Sequence, residues 1–208
     1  MSDFVPAKAT VFVVDDDQAM RNSLKWLIES VGVQVESFAS ADEFLAQYQS
    51  GRHGCLVLDV RMPGMSGLDL QEQLAQQNIN IPVVIITGHG DVPMAVRAMK
   101  SGAIDFIEKP FNDEVLLDAI RRALAFGEEQ RSHQVENLQI QQRLHHLTPR
   151  EREVMEMVTE GRSNKEIANS LGVSAKTIEA HRARVMEKMQ AGSLAELVRM
   201  VLSVNGTG

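Results

Sequence analysis

The amino-acid sequence predicts an α/β domain with a doubly wound five-stranded parallel sheet, then a helical linker, then an all-α domain of four helices that contains a helix-turn-helix. Between residues 8 and 126, five short apolar runs alternate with five segments of helical periodicity, the order that gives parallel strands with right-handed crossovers. From residue 147 to 204, four helical segments follow one another with short turns between them. The segment 127–146 is rich in Gln, Glu and His and contains no proline.

The charge of the chain is unevenly distributed. The 208 residues carry a net charge of −7; residues 1–125 hold 10 Lys and Arg against 17 Asp and Glu, whereas residues 147–208 hold nine against eight. The chain as a whole is therefore not a basic nucleic-acid binder, and only a local basic patch could contact a polyanion.

Cysteine content and hydropathy predict a cytoplasmic protein. The single cysteine, Cys55, allows no disulfide within one chain, which suits a reducing compartment. Residues 1–6 lack the basic and apolar stretches of a signal peptide, and no apolar run approaches about 18 residues. We therefore expect neither secretion nor a membrane span.

The third predicted strand, 55–59, is the best marked of the five. Residues 55–58 are all apolar, so both faces of the strand are apolar, as in a central parallel strand covered by helices on both sides. The strand ends at Asp59, and a Pro-Gly turn follows. Open α/β folds place their chemistry at the carboxyl edge of the sheet, which makes Asp59 a candidate reactive group.

Polar residues also follow other predicted strands. These strands are 10–14, 33–38, 81–87 and 103–107. Asp15 and Asp16 come directly after the first, Thr87 ends the fourth, and Lys109 comes shortly after the fifth. We expect these side chains to converge with Asp59 in one cleft, because the carboxyl ends of parallel strands share one edge.

This set of residues suits phosphoryl chemistry. Three close carboxylates repel one another unless a hard cation lies among them, and oxygen ligands with open positions suit Mg²⁺ or Mn²⁺. A carboxylate beside such an ion can attack a phosphoryl group, while the Lys109 ammonium offsets charge and the Thr87 hydroxyl donates to the phosphate. The alternative is that 15–17 form an acidic loop with a capping residue and that Lys109 only forms ion pairs. Under this alternative, the matching chemistry at the ends of four strands would be a coincidence.

The first domain resembles the receiver domain of two-component response regulators, which has a flavodoxin-like fold. The motifs that carry the resemblance are VVDDD at 13–17, LDVRMPGMSG at 58–67, ITGHG at 86–90 and EKPF at 108–111. The resemblance implies that Asp59 is the phosphoacceptor, that Thr87 and Phe106 form the switch, and that Lys109 contacts the phosphate and precedes a cis bond to Pro110. It also implies a set of ligands for Mg²⁺ or Mn²⁺: Asp15, Asp16, Asp59 and the backbone carbonyl of Arg61.

The segment 127–146 favours helix, and two arrangements are open for it. One is a solvated helical spacer, and the other is an extension of the preceding helix that pairs across a dimer as a short coiled coil. Val135, Leu138 and Leu144 mark a thin apolar stripe on this segment, and three such sites are too few for the ~3–4 heptads that identify a coiled coil.

The second domain, 147–204, begins with a strong helix-start signal. Thr148 is placed as the N-cap, Pro149 as the first helical residue and Glu151 as the capping-box partner. Three further helices are predicted to begin after serine caps: Ser163, Ser174 and Ser193. The second and third of the four helices, joined by a turn at 172–174, form a helix-turn-helix.

The third helix of this domain carries a local basic patch. Ile178, Val185 and Met189 form its core-facing stripe. The opposite face carries four basic residues: Lys176, Arg182, Arg184 and Lys188. Phosphate oxygens are the natural partners of such a patch, and a solvated charged face is the alternative.

This second domain resembles the LuxR-type DNA-binding domain, and with the first domain the chain resembles a NarL/FixJ-type response regulator of the FixJ-like branch. The segments that carry the resemblance are LTPREREV at 147–154, SNKEIA at 163–168 and VSAKTIEAHR at 173–182. It implies that Glu179, Ala180 and Ala183 face bases, where Glu179 could accept a hydrogen bond from a cytosine amino group. The remaining implied DNA contacts, mostly to the backbone, are Lys165, Lys176, Thr177, His181, Arg182, Arg184 and Lys188.

The combined prediction is a phosphorylation-gated transcriptional regulator. A sensor histidine kinase donates a phosphoryl group to Asp59, and the receiver forms a homodimer through four residues of the fourth helix: Val92, Met94, Ala95 and Val96. The DNA-binding domains then engage an inverted repeat in double-stranded promoter DNA and activate transcription, with RNA polymerase as a further partner. Enzymatic activity is expected to be limited to self-phosphorylation and slow self-dephosphorylation.

Two other functions are open. A phosphatase of the haloacid dehalogenase kind uses similar chemistry, but it needs an aspartate two residues after the nucleophile, where this chain has Arg61. The other is a DNA-binding protein whose receiver never gains phosphate, and the complete set of acids, threonine and lysine argues against it.

Overall fold

The computed structural model describes residues 9–49 and 51–205, which divide into two compact units between Gln130 and Arg131. The predicted domain start at residue 8 and residues 1–6, predicted to lack a signal peptide, lie outside the described residues. The division between the units falls inside the segment 127–146 that the sequence predicts as a linker. Throughout the described residues, no helix combines the length and the hydropathy needed to cross a membrane.

The first unit is built on a parallel sheet with the strand order β2-β1-β3-β4-β5. Its strands are β1 (Thr10–Val14), β2 (Gln34–Phe38), β3 (Gly54–Asp59), β4 (Val83–Thr87) and β5 (Asp105–Glu108). The helices that alternate with them are α1 (Gln18–Ser30), α2 (Ala41–Gln47), α3 (Gly67–Gln76), α4 (Val92–Lys100) and α5 (Asp113–His145). The predicted doubly wound sheet is confirmed. The predictions start β4 and β5 two residues early, because Ile81 and Ala103 are buried like strand residues but precede the paired segments.

Apolar side chains cover both faces of this sheet. On one face, Val11 and Val57 pack with Ile28 of α1 and with α5. On the other face, Phe12 packs with Phe44 of α2 and with α3. Every residue of β3 is buried, which explains why both faces of that strand read as apolar in the sequence.

Helix α5 runs through 33 residues, Asp113–His145, so the segment predicted as a linker is helical. Ile140, which was not among the predicted apolar positions, is buried in the core of the second unit. Val135 and Leu138 are about half exposed, at 47% and 53%. Their exposure is compatible with both predicted arrangements of this segment.

The second unit contains, besides the end of α5, the helices α6 (Pro149–Thr159), α7 (Asn164–Leu171), α8 (Ala175–Met189) and α9 (Leu194–Asn205). The predicted capping box of Thr148 with Glu151 is present at the start of α6. Gly172 follows α7 with a φ of +65°, a conformation that favours glycine, and this turn separates the two helices of the helix-turn-helix. The stripe predicted to face the core, Ile178, Val185 and Met189, is buried.

Candidate functional site

Three side chains meet at the carboxyl edge of the sheet. The Nζ of Lys109 lies 2.8 Å from Oδ2 of Asp15 and 2.7 Å from Oδ1 of Asp59. Asp15 is 1% exposed and Asp59 is 5% exposed, so one ammonium serves two buried carboxylates. The bond from Lys109 to Pro110 is cis, as the resemblance implies.

The sheet register brings these residues together. Val14 pairs with Leu58, so the two residues that follow them, Asp15 and Asp59, lie side by side at the ends of adjacent parallel strands. The backbone N–H of Lys109 donates to the carbonyl of Thr87 at 2.7 Å, which continues the pairing of β5 with β4 beyond the strand end. The convergence therefore depends on parallel strands that bring their carboxyl ends to one edge, which the alternation of strands and helices predicts.

Each carboxylate is also held by its own loop. Oδ1 of Asp15 accepts a hydrogen bond from the backbone N–H of Asp17, and Oδ2 of Asp59 accepts one from the backbone N–H of Arg61, both at 2.8 Å. These bonds to the residue two positions on are typical of aspartate in turns. They leave the second oxygen of each carboxylate directed to Lys109.

The charges of the site are unequal, because two carboxylates share one ammonium. Burial raises the pKa of Asp59 above its ordinary value, although the hydrogen bond from Lys109 opposes this. Burial by itself lowers the pKa of Lys109, but hydrogen bonds to Asp15 and Asp59 outweigh it, so the pKa of the ammonium lies above its ordinary value. The site therefore keeps Lys109 charged, and the single ammonium does not balance the charge of two carboxylates.

Asp16, the third predicted carboxylate, is exposed and does not join this group. Within 9–49 and 51–205, no three Asp, Glu, His or Cys side chains are grouped closely enough to hold a metal ion. The donor set nevertheless fits Mg²⁺ or Mn²⁺. Two buried carboxylates already converge on a cation, the ammonium of Lys109, and the carboxylate of Asp16 is next in the chain to that of Asp15.

The two predicted switch residues lie against one loop. Thr87 is fully buried, and its hydroxyl accepts a hydrogen bond from the backbone N–H of His89 at 3.3 Å. Phe106 is half-buried, and a Cβ added at Gly90 would lie 3.0 Å from its ring and 3.4 Å from the methyl group of Thr87. Gly90 therefore leaves the space that the ring of Phe106 occupies.

Gly67 is a residue of the site that sequence reasoning missed. It begins α3, and its backbone N–H donates to the carbonyl of Val60 at 3.0 Å. A Cβ added there would lie 2.1 Å from the backbone oxygen of Asp59. Its position after the N-cap Ser66 can be predicted from the sequence. Its close approach to Asp59 cannot, because this depends on how α3 packs.

The predicted dimerisation residues of α4 differ in exposure. Val92 is 77% exposed and Val96 is 45% exposed, whereas Met94 and Ala95 are half-buried. Met99, which was not predicted, is 49% exposed and lies at the spacing that continues the face of Val92 and Val96. The exposed apolar surface of α4 therefore follows positions 92, 96 and 99.

Helix α8 presents most of the predicted DNA-contact residues to solvent. Its exposed residues include Lys176, Thr177, Glu179, Ala180, Ala183 and Arg184. Among the described residues, Lys176, Arg184 and Lys165 of α7 have no ion-pair or hydrogen-bond partner for their side chains. His181 is half-buried. Three cationic groups of this surface are therefore available to phosphate.

Two predicted DNA-contact residues are bonded within the unit instead. Nη1 of Arg182 donates to Oδ1 of Asn164 at 2.8 Å. The Nζ of Lys188 donates to Oε2 of Glu151 at 2.6 Å and to the carbonyl of His146 at 3.2 Å. The hydrogen bond from Lys188, with the backbone bond of the capping box, lowers the pKa of Glu151 to about 2. In this structure Lys188 ties α8 to the start of α6.

Comparison with known proteins matches both units. Residues 11–121 match the family described as the response regulator receiver domain, and residues 145–201 match the family described as bacterial regulatory proteins of the luxR family. Nodulation protein W of Bradyrhizobium diazoefficiens is 50% identical over 193 residues, which are 93% of this chain and 85% of that protein. The transcriptional regulatory protein FixJ of Azorhizobium caulinodans is 46% identical, covering 95% of this chain and 94% of that protein.

Solved structures agree with these matches. The response regulator StyR superposes with a TM-score of 0.83 at 48% identity, over 93% of this chain and 98% of that chain. Full-length FixJ from B. japonicum superposes with a TM-score of 0.57 at 45% identity, over 97% of this chain and 99% of that chain. The chain belongs to the two-component response regulators and is a FixJ-like DNA-binding transcriptional regulator, with a receiver domain followed by a LuxR-type helix-turn-helix domain.

Proposed function

We propose that phosphorylation gates this regulator: a sensor histidine kinase donates a phosphoryl group to Asp59, the receivers then form a homodimer, and the paired helix-turn-helix domains bind an inverted repeat in promoter DNA. The observation that carries the proposal is the ammonium of Lys109, which lies within 2.8 Å of both Asp15 and Asp59. A cation held beside a buried carboxylate is suited to a reaction that brings a phosphoryl group to that carboxylate.

Asp59 supplies the nucleophile in the proposed reaction. A carboxylate oxygen of Asp59 attacks phosphorus, so that a new P–O bond forms while the P–N bond to the histidine of the donor breaks. Lys109 offsets the negative charge on the transferring oxygens. Asp15, Asp16, Asp59 and the carbonyl of Arg61 would hold Mg²⁺ or Mn²⁺, which would supply further neutralisation of this charge when bound.

The switch in this proposal uses Thr87 and Phe106. The hydroxyl of Thr87 accepts from the N–H of His89, so its own hydrogen is free for donation to a phosphoryl oxygen. A movement of Thr87 toward the phosphate frees the space of its methyl group, and the ring of Phe106, which already lies beside Gly90 next to that methyl group, turns into it. This repacking reaches α4, whose apolar residues Val92, Met94, Ala95 and Val96 form the proposed dimer face together with Met99.

Analytical ultracentrifugation tests the gating. The purified chain is sedimented with Mg²⁺, with and without beryllofluoride, beside Asp59→Asn. We expect the wild-type chain to shift from monomer to dimer on addition of beryllofluoride, and Asp59→Asn to stay monomeric. A variant that dimerises with the wild-type dependence on beryllofluoride would contradict the role of Asp59, and a Val96→Glu chain that still dimerises would contradict the role of α4.

For DNA we propose that Lys165, Lys176 and Arg184 contact phosphates, since their cations have no partner among the described residues. Glu179, Ala180 and Ala183 lie on the exposed side of α8 and are the proposed base-facing residues. Further proposed contacts come from Thr177, His181, Arg182 and Lys188. Of these, Arg182 and Lys188 must exchange bonds within the unit for bonds to phosphate.

The salt dependence of DNA binding distinguishes Lys176, which has no partner among the described residues, from Lys188, which is bonded to Glu151. Each phosphate contact contributes about −0.9 to the slope of log K against log salt concentration, so Lys176→Gln should reduce that slope by about this amount. The matched variant Lys188→Gln removes the same charge from the same helix but also breaks the bond to Glu151, so we expect lower thermal stability and a smaller change in slope. Equal slopes for wild type and Lys176→Gln would contradict the assignment of Lys176.

A further inference from the structure

Arg21 is a buried arginine beside the acidic loop, and none of the roles above uses it. It lies near the start of α1 and is 8% exposed. Its Nη1 donates to the backbone carbonyl oxygen of Asp15 at 2.6 Å, and its Nη2 donates to Oε1 of Gln18 at 2.5 Å. The side chain therefore reaches back from the helix to the end of β1.

The bond to Asp15 also restrains Asp16. The carbonyl of Asp15 belongs to the planar peptide unit that joins Asp15 to Asp16, so a bond to this oxygen sets the orientation of that plane and the direction in which Asp16 leaves it. The other polar groups of Asp15 are held as well: its N–H donates to a carbonyl of β2, and its carboxylate accepts from Asp17 and Lys109. Arg21 adds the restraint on the peptide that leads into Asp16.

The chemistry of the guanidinium explains why an arginine suits this position. Burying a charged group is costly unless its donors are used. The planar fork of arginine binds the carbonyl of Asp15 and the amide oxygen of Gln18 at the same time, whereas a lysine has one nitrogen for both. Because Nη1 bonds a backbone carbonyl, it leaves the carboxylate oxygens of Asp15 to other cations.

We infer that Arg21 is a positioning residue for the acidic loop. By holding the peptide between Asp15 and Asp16, it fixes the backbone from which the carboxylate of Asp16, exposed in this structure, joins Asp15 and Asp59 when Mg²⁺ binds. The inference rests on the proposed function, in which these carboxylates hold the ion. Arg21 itself touches neither the ion nor the phosphoryl group.

Isothermal titration calorimetry, which measures the affinity of the full-length chain for Mg²⁺, tests the inference. The variants are Arg21→Met, Arg21→Lys and the control Arg121→Met, which removes an exposed arginine of α5. Groups that hold a metal-binding side chain in place typically change metal affinity by about 10–100-fold when they are removed. We expect Arg21→Met to weaken Mg²⁺ binding by about 10-fold or more, and Arg21→Lys to weaken it to a smaller extent. Arg121→Met should stay within about two-fold of wild type, because exposed charges are screened.

The sign of the effect distinguishes positioning from simple charge. Removing a positive charge beside an acidic loop should by itself tighten the binding of a cation, so the expected weakening runs against the charge effect. An Arg21→Met chain that is folded, with its Cys55 thiol protected, but binds Mg²⁺ as tightly as wild type or tighter overturns the inference. If Arg21→Met does not fold, a folded Arg21→Lys chain with the wild-type affinity overturns it.

The wild-type titration separates this inference from the proposed function. A wild-type chain that binds no Mg²⁺ and gains no phosphoryl group from acetyl phosphate would contradict the proposed function, and the inference with it. A wild-type chain that binds Mg²⁺, beside a folded Arg21→Met chain of lower stability and unchanged affinity, would leave Arg21 a purely structural role and contradict the inference alone.

Discussion

Replacing Lys109 with Met removes the cation that Asp15 and Asp59 share, while keeping an unbranched side chain of similar length. The two carboxylates are 1% and 5% exposed, and both lie within 2.8 Å of the ammonium. Removing one partner of a buried ion pair typically costs about 3–5 kcal/mol, because the other charge stays buried without compensation. We expect Lys109→Met to lower the free energy of unfolding of the receiver by about this amount at neutral pH.

The loss should depend on pH with a definite sign. In the wild-type chain burial already raises the pKa of Asp59, and without the hydrogen bond from Lys109, which lowers that pKa, it must rise further. A folded carboxyl whose pKa lies above its unfolded value, about 3.9 for Asp, loses stability as the pH rises through the interval between the two. The difference between Lys109→Met and wild type should therefore shrink on acidification.

The thiol of Cys55 reports on the receiver alone. It is the chain's one cysteine, it is fully buried in β3, and burial raises its pKa to about 12, so it reacts only when the sheet opens. Its labelling by a disulfide reagent in increasing urea gives the free energy of opening without a contribution from the second unit. The control is Lys100→Met, an exposed lysine of α4, for which a change within about 0.5 kcal/mol is expected. A loss below about 1 kcal/mol for Lys109→Met, or a loss independent of pH, would refute the reasoning.

Two further substitutions test close contacts. Gly67→Ala places a Cβ 2.1 Å from the backbone oxygen of Asp59. We therefore expect slower phosphorylation by acetyl phosphate and a stability loss of about 1–3 kcal/mol, measured by Cys55 labelling. The control Gly88→Ala, which has open space around it, should match wild type, and equal behaviour of the two variants would contradict the contact. Glu151→Gln weakens the bond from Lys188 and should cost about 1–2 kcal/mol of thermal stability. The pKa of Glu151 is lowered from 4.5 to about 2, so the stabilisation by its ion pair is present above pH 4.5 and is lost as the pH falls toward about 2. If Glu151→Gln still destabilises the chain at the lower pH, the ion pair is not the cause.

The features that could be predicted from the sequence depend on neighbouring residues or on the parallel direction of the strands. The capping box of Thr148 and Glu151 spans four residues, and the apolar run before Asp59 is continuous, so both can be predicted without knowledge of the fold. The meeting of Asp15, Asp59 and Lys109 joins distant parts of the chain, yet it followed from one rule: parallel strands bring their carboxyl ends to one edge.

The features that could not be predicted depend on how helices pack. Lys188 lies on the basic side of α8 in the sequence, but its bond to Glu151, 37 residues away, arises because α6 packs against that helix. Arg97 is likewise held by Asp69 at 2.9 Å and Glu72 at 2.8 Å across the contact of α3 with α4. Periodicity assigns a residue to a face of its own helix and carries no information about which residue of another helix that face meets.

From the amino-acid sequence one can predict the order of the strands and helices along the chain, the ends of the helices and the residue types at the sheet edge. These follow from local hydrogen bonding, apolar periodicity and the handedness of crossovers. Packing of the elements against one another sets which charged side chains are already bonded within the protein. It committed Lys109 to two buried carboxylates, Arg21 to a carbonyl of the acidic loop and Lys188 to Glu151, and it left Lys176 without a partner among the described residues. Such bonds form only when a donor and an acceptor on separate elements lie within about 2.5–3.2 Å of each other, and only the packed chain sets those distances.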